Sequence, residues 1–539
     1  MRTPRRAPEI NSRINFAAAA ALLLIALFSG GSSQESGIGV VVLQLASLAG
    51  IAWLATQHLR GQIAPWPWPW TALAVALLAI PLLQLIPLPT AFASMGEGRA
   101  LLQTDLAAAG AAGASRASLD PTATRLALHA LLPALAVFGL VLALPAHMHR
   151  RLAWCIAGLA MASLLLGILQ LGSPQESPLN PYPQWRPAMN GFFANPNHQA
   201  TLLVVAAVLA AGWLFHRSPS AQQATPSGGR GVVGMVAAAA VVMLAIGALP
   251  LTGSRAGVII FILALAAVVA SQGWRLRGRR PRQLLVAGSA AVAGLGVLAA
   301  MRWMRVDAAQ ELRQPLRQAT LEVAGAHAPL GSGAGTFVPV FEQATSGELL
   351  MANYVNHAHS EYAQWLLEAG ILAIPAMVLA ATAVLLAARA LLRLPPHARM
   401  PGLCALVALL AIAAHSAVDY PLRTPAMLTI AAALAGLLAA TARPARANTR
   451  AGTPVTQTRH NSRLRLRLRH RSRRSGLRPR HPAHMIKISI AVTRLIAAAG
   501  ADTRDQRDRV AEAFRQLDAL RSQIRLEGDL KTIARKGLD

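Results

Sequence analysis

Acidic residues are scarce in this 539-residue chain. It carries 22 Asp and Glu against 51 Lys and Arg, and charged residues make up only 14% of it, whereas soluble domains sit near a quarter. Eight of the acids lie beyond residue 442, which leaves fourteen for everything before it. So few carboxylates over so long a stretch exclude an ordinary water-soluble enzyme. Cysteine is nearly absent as well. Cys155 and Cys404 each sit inside an apolar run, which excludes a disulfide framework and a cysteine-based zinc site. Residues 1–442 contain no Asp-x-Asp and no adjacent acidic pair. A hard divalent cation needs clustered carboxylates, so neither a metal nor a cofactor is expected.

What the chain has in excess is apolar sequence, 54% of the residues, with a mean hydropathy of +0.43. Runs approaching the ~20 residues that cross a hydrocarbon layer lie at 14–28, 38–56, 70–88, 126–146, 152–171, 199–215, 232–250, 256–270, 284–300, 371–392, 402–418 and 425–442. The chain therefore reads as an all-α polytopic membrane protein of about twelve transmembrane helices. The first run follows Arg2, Arg5, Arg6 and Arg13, as a signal peptide would. Another apolar run succeeds it after nine residues, so it reads as the first helix.

Arginine in the short loops sets the orientation. With residues 1–13 cytoplasmic, the inner segments hold Arg60, Arg150, Arg151, Arg217 and Arg230. They also hold the cluster Arg275 to Arg282, then Arg389, Arg393 and Arg399. The outer segments carry mostly single arginines: Arg99, Arg116, Arg186, Arg255 and Arg423. Both termini are then cytoplasmic. Nine helices fall within 14–300 and three within 371–442, separated by a large periplasmic loop at 301–370. That loop holds half of the fourteen acids before residue 443. Its amphipathic stretch at 305–324 and glycine turn at 331–335 predict a layer folded over the membrane surface. The other long outer loop, 89–125, is rich in Ala and Gly and carries little that suggests a site.

Residues 443–502 form an arginine-rich tail with the run from Arg463 to Arg474. No nucleic-acid module accompanies it, so no nucleic-acid partner is expected. A disordered cytoplasmic segment against anionic phospholipid is the reading. Within 503–539, Val510, Ala513, Leu517, Leu520 and Ile524 predict a short amphipathic helix.

The strongest chemical signal is the run from Asn356 to Gly370, Asn-His-Ala-His-Ser-Glu-Tyr-Ala-Gln-Trp-Leu-Leu-Glu-Ala-Gly, which leads straight into the tenth span. Helical spacing begins at Ser360, a suitable cap, and puts His359 just ahead of the first turn. A neutral imidazole there could take a proton from an attacking hydroxyl, because its pKa lies near working pH. A histidine bonded only to loop backbone is the plainer alternative.

At this motif the chain resembles the O-antigen ligase and O-antigen polymerase superfamily. The ligase signature is His, then Asn, Ser or Gln, nine residues, Gly, two residues, then Gly, Thr or Tyr. His359, Ser360 and Gly370 match it, and Ala373 departs from it at the last position. Three further segments look like the same family in the same order: Gly191-Phe-Phe-Ala-Asn-Pro-Asn-His198, Leu251-Thr-Gly-Ser-Arg-Ala-Gly257 and Pro329-Leu-Gly-Ser-Gly-Ala-Gly-Thr-Phe337.

The resemblance implies a GT-C-like ligase architecture in the bacterial inner membrane. It also implies a metal-independent, inverting glycosyltransferase. The donor would be a glycan on undecaprenyl diphosphate, and the acceptor hydroxyl would belong to a lipid A-core sugar (ligase), another lipid-linked glycan (polymerase) or a protein (O-oligosaccharyltransferase).

On this reading His359 and Arg255 are the catalytic candidates. Arg255, in a glycine-flanked turn, has the planar fork that suits a diphosphate; head-group anchoring is its plainer role. Arg186, Arg313 and Arg317 are further candidates for the positive pocket. Asn195 and His198 either contact sugar or cap the sixth span. His357 and Glu361 complete the substrate-binding candidates. Asp419 and Arg423 read as an ion pair at the last outer turn, with substrate contact by Asp419 and Tyr420 as the alternative. Two other classes remain: a twelve-helix transporter, which predicts related halves and mid-membrane charge not evident here, and an envelope scaffold using the basic tail.

Overall fold

The computed structural model describes residues 6–33, 37–89, 92, 94–110, 116–182, 189–215, 229–275, 278–303, 313–345 and 355–443. Arg186, the tail after Arg443 and the 503–539 segment lie outside them. Each apolar run of the sequence is a helix. In chain order the helices are α1 (Arg6–Ser29), α2 (Ile38–Leu59), α3 (Trp68–Gln84), α4 (Glu97–Ala108), α5 (Pro121–Leu142) and α6 (Ala146–Leu171). Then come α7 (Pro196–Phe215), α8 (Gly229–Ala248), α9 (Arg255–Ala270), α10 (Arg279–Trp303) and α11 (Arg313–Ala326). The last are α12 (Phe337–Ala344), α13 (Glu361–Ala369), α14 (Ala373–Leu392), α15 (Pro396–His415) and α16 (Pro425–Ala442). No strand occurs among the described residues. Among the described residues eleven segments are long and apolar enough to cross a membrane, α13 and α14 counting as one, and the 17-residue α3 is a shorter apolar helix with Pro81 inside it. The protein is an all-α polytopic membrane protein.

Small residues bring the helices together, as they must where lipid removes the hydrophobic drive for helix association. A Cβ on Gly436 of α16 would come within 2.9 Å of the Phe138 carbonyl oxygen on α5, and one on Gly139 within 2.6 Å of Leu54 on α2. The centre of the bundle is α7, where 89% of the apolar window is buried. The rim is apolar outward: Leu284 and Leu295 of α10 are 72% and 68% exposed, a cost in water that vanishes against hydrocarbon.

A second layer covers one end of this bundle. Leu316, Val323 and Ala324 of α11 share a buried cluster with Phe337, Val340 and Phe341 of α12 and with Leu367 of α13. Spacings of seven and eight residues from Leu316 put them on one face of α11, so residues 313–324 of the amphipathic stretch pack by that face, and 305–312 lie outside the described residues. Glycines set the loop between α11 and α12. Gly331 has φ 75° and lies so close to α13 that a Cβ would meet the Glu368 carbonyl oxygen at 2.6 Å. Only a residue without a side chain tolerates both.

The 89–125 loop is more than a linker, contrary to its bland composition. It forms α4, on which Arg99 is 1% exposed. The Arg99 guanidinium donates to the carbonyls of Arg116 (3.1 Å), Ala117 and Gly331 (2.7 Å). One cation so ties two loops that lie more than two hundred residues apart in the chain. A carbonyl partner leaves no trace in sequence, and this is why the loop looked uninformative.

Candidate functional site

The site is assembled by three segments that meet where α7 begins, α13 begins and α15 ends. The first, residues 189–195, is held by α6. Gln170 pairs with both backbone groups of Gly191 (2.8 and 2.9 Å), and Ser163 accepts from the Phe192 N–H at 3.1 Å while donating to Gln199 at 2.7 Å. This delivers Asn195 and His198 to the start of α7, where Asn195 Oδ1 accepts from the Asn197 N–H at 2.9 Å. The second segment is the histidine motif. Ser360 caps α13 by accepting from the Ala363 N–H, as the sequence predicts. His359 just before it has φ 48°, the one positive φ outside glycine among the described residues. That conformation costs a non-glycine residue about 1–3 kcal/mol and clusters at functional sites. The third segment is the turn from α15 to α16, which carries Asp419, Tyr420 and Arg423.

Asp419 is the centre of the site. Its side chain is fully buried, and four groups besides its own backbone surround it. His359 Nδ1 lies 3.4 Å from Oδ1, Asn195 Nδ2 3.3 Å from Oδ1, Arg313 Nη2 3.6 Å from Oδ2 and His198 Nε2 4.0 Å from Oδ1. The Tyr420 N–H donates to Oδ1 at 2.9 Å. Burial works against this carboxylate, but the close approach of the His359 imidazole and the charge of Arg313 outweigh it, and Asp419 is held well below the ordinary carboxylate range. It therefore stays ionised beside two imidazoles. Tyr420 is packed among three rings, with centroids 4.2 Å from His357, 5.1 Å from His359 and 5.0 Å from His198. Burial and the Asp419 charge push its phenol up to about 12, so it remains a hydrogen-bond donor.

A second ionic group lies beside the first and is structural in character. Arg423 bonds Glu361 Oε2 at 3.0 Å and Glu368 Oε2 at 2.7 Å. Glu361 Oε1 accepts from the Leu422 N–H at 2.8 Å, and Gln364 joins Glu368 to His357 through bonds of 2.9 and 3.1 Å. Burial opposes the Arg423 charge, yet Glu368 and Glu361 together raise its pKa above the ordinary value. Burial and the nearby Arg423 cation hold His357 well below the usual imidazole pKa, hence neutral. The expected Asp419–Arg423 pair does not form. Arg423 turns to the two glutamates of α13, which lie two helical turns apart on one face and take its Nε and Nη1 separately, and Asp419 turns to His359 and Arg313.

The other candidates fall as follows. Arg313, at the start of α11, reaches the site and also donates to the Val418 carbonyl at 3.2 Å. Arg317, one turn further, is exposed. Arg255 begins α9 and is half-buried. Gly257, two residues on, packs so tightly on Ala200 that a Cβ would meet its methyl at 2.7 Å. Ala200 follows His198 by two residues on α7, so Arg255 stands at the same end of the bundle as His198 and Asp419. Asp419 and Tyr420 were missed as principal groups by sequence reasoning. The signal was there: Asp419 is the sole carboxylate between residue 368 and residue 443. Among the described residues no group of three His, Cys, Asp or Glu is disposed to hold a metal ion.

The bundle gathers an ionised carboxylate, imidazoles and guanidinium groups at one end. Residues 239–378 match the family model of the O-antigen ligase, so this part of the chain is similar to the O-antigen ligase and polymerase superfamily, a family whose activity is of the glycosyltransferase type, ligase or polymerase. The matched stretch is about a quarter of the chain and holds Arg255, Arg313, Arg317, His357, His359 and Glu361. No curated protein matches the chain.

Proposed function

We propose that the protein transfers a glycan from undecaprenyl diphosphate to an acceptor hydroxyl at the periplasmic face of the bacterial inner membrane. Both termini lie in the cytoplasm on this reading, as the arginine distribution indicates. The observation that carries it is the placement of His359 Nδ1 at 3.4 Å from the buried, ionised Asp419. With Nδ1 directed at the carboxylate, Nε2 is the nitrogen left to the acceptor, and the ring is 24% exposed. The acceptor O–H gives its proton to Nε2, its oxygen attacks the anomeric carbon, and the bond from that carbon to the diphosphate breaks. The configuration inverts in a single displacement. Asp419 stabilises the imidazolium that forms, as a carboxylate does behind a catalytic histidine.

The departing diphosphate gathers negative charge, which preorganised donors stabilise best. Arg255 and Arg313 supply that charge, with Arg317 and, from outside the described residues, Arg186 as further candidates, so the step needs no metal. Asn195 and the His357–Glu361 side of the site bound the sugar. Deleting the gene and separating lipopolysaccharide from free lipid-linked glycan on gels tests this. A ligase mutant accumulates undecaprenyl-linked polymer and loses long-chain lipopolysaccharide, a polymerase mutant shows single-repeat caps, and a protein-glycosylating enzyme leaves both unchanged while glycoproteins disappear. Complementation with His359→Ala or Arg255→Ala restores none of these. Normal glycans in every envelope fraction of the deletion strain overturn the proposal.

A further inference from the structure

The site holds a second imidazole that the transfer step leaves unused. His198 is 1% exposed, and among the described residues neither of its ring nitrogens has a hydrogen-bond partner. An unmade hydrogen bond on a buried polar group is costly, so packing alone does not account for a ring with two of them. A phenyl or leucyl side chain would fill the same space. Its surroundings are tight and apolar on two sides, with the Phe193 and Tyr420 rings edge-on at 6.1 and 5.0 Å. Its open polar direction is toward Asp419.

Oδ1 of Asp419 is oversubscribed. A carboxylate oxygen offers about two lone-pair sites. The Tyr420 N–H at 2.9 Å and Asn195 Nδ2 at 3.3 Å make bonds to it. His359 Nδ1 at 3.4 Å and His198 Nε2 at 4.0 Å stand at charge-contact range, both outside hydrogen-bond alignment. The two imidazoles therefore compete for what Oδ1 has left, and a small swing of the carboxylate favours one over the other.

We propose that His198 is a positioning residue that shares Asp419 Oδ1 with His359 and so sets how strongly His359 holds a proton. The inference rests on the reading of His359 as the base. While His198 donates to Asp419, the carboxylate has less negative charge to offer and His359 stays neutral, ready to accept. Once His359 has taken the acceptor's proton, Asp419 turns to the imidazolium and releases His198. On α7 the residue also faces His415 of α15, and Arg313 of α11 approaches the carboxylate from the other side. His357 and Tyr420 complete the titratable groups around the pair. All of these stay unchanged in the variants below, so a shift at His359 is assigned to the ring that was removed.

The test is histidine C2-proton exchange, followed residue by residue by mass spectrometry against pH, on the full chain in lipid nanodiscs. It reads the protonation of each imidazole and needs no substrate. In His198→Leu the His359 midpoint rises, by about half a pH unit or more, the size of one neutral hydrogen bond no longer drawn from the carboxylate. His198→Gln, which keeps a donor, brings it back toward the wild-type value. Asp419→Asn, which keeps the shape of the site, lowers His359 and His198 together in a protein that is otherwise intact. An unmoved His359 midpoint in His198→Leu, or a fall of His359 alone in Asp419→Asn, overturns the inference. The transfer reading fails separately, when His359→Ala still supports glycan transfer in cells whatever the exchange midpoints are.

Discussion

Asp419 stands 3.4 Å from His359 and leaves Arg423, the cation four residues along its own turn, to Glu361 and Glu368. The exchange of partners separates two jobs. The Arg423 group ties α13 to the turn before α16, and the Asp419 group is left beside the exposed edge of the histidine motif. One is a lock and the other a working site.

The proposed role of Asp419 behind His359 predicts a rate effect with little effect on binding. Asp419→Asn keeps the shape and the bond from the Tyr420 N–H but removes the charge that stabilises an imidazolium at His359. Transfer by the purified protein in proteoliposomes should fall by about 10²–10⁴-fold, with KM for the lipid-linked donor nearly unchanged. A loss confined to KM would instead make Asp419 a substrate ligand.

Arg423→Leu should destabilise the fold. Removing one partner strands the buried Glu361 and Glu368, and a broken buried pair costs about 3–5 kcal/mol. Thermal unfolding in detergent should fall markedly, and Arg423→Lys, which keeps the charge without the fork, should lie between. Equal melting of the Leu variant and the wild type would show that the lock is idle.

Acid should weaken the protein in two stages. His357 has a depressed folded pKa, so below the ordinary imidazole value of ~6.5 the unfolded chain binds the extra proton and stability declines with falling pH. Asp419 is depressed too. Its contribution is whole above the ordinary carboxylate range near ~3.9 and is lost as pH drops further. His327, lowered by burial as well, shares the first stage, so His357→Gln should shrink that stage and leave the second, as read by melting temperature between pH 7.5 and 3.

Arg99→Met should loosen the loop that begins at His327. The carbonyls of Arg116, Ala117 and Gly331 lose their donor, at about 1–3 kcal/mol for a buried group left unpaired. Backbone hydrogen exchange should quicken at 327–336 and around α4 before it quickens in α7. Uniform exchange over the whole chain would count against a local clasp.

The proposed orientation is open to a chemical check. In spheroplasts, Cys introduced at the exposed Arg317 should react with a membrane-impermeant maleimide, and Cys at Arg393, at the far end of α14, should react only after permeabilisation. The reverse pattern would put the site on the cytoplasmic side.

The helices were legible in the sequence because their cause is local. Each run from 14–28 to 425–442 carries its own apolar length, and lipid obliges every such backbone to satisfy itself as a helix. The same holds for Ser360 as a cap and for the apolar face of α11, both set by residues within a turn or two. The pairing of charges is different in kind. Asp419 and Arg423 share a turn, and proximity in the chain made them look like partners. Only the packing of α13 against that turn presents Arg423 with two carboxylates on one face, and only the start of α7 brings Asn195 and His198 under Asp419. Arg99 went unread for the same reason, since its partners are main-chain oxygens that every residue has. Hydropathy depends on neighbours along the chain and fixes what crosses the bilayer. Electrostatic complementarity depends on neighbours in space, and the site exists only once the fold has chosen them.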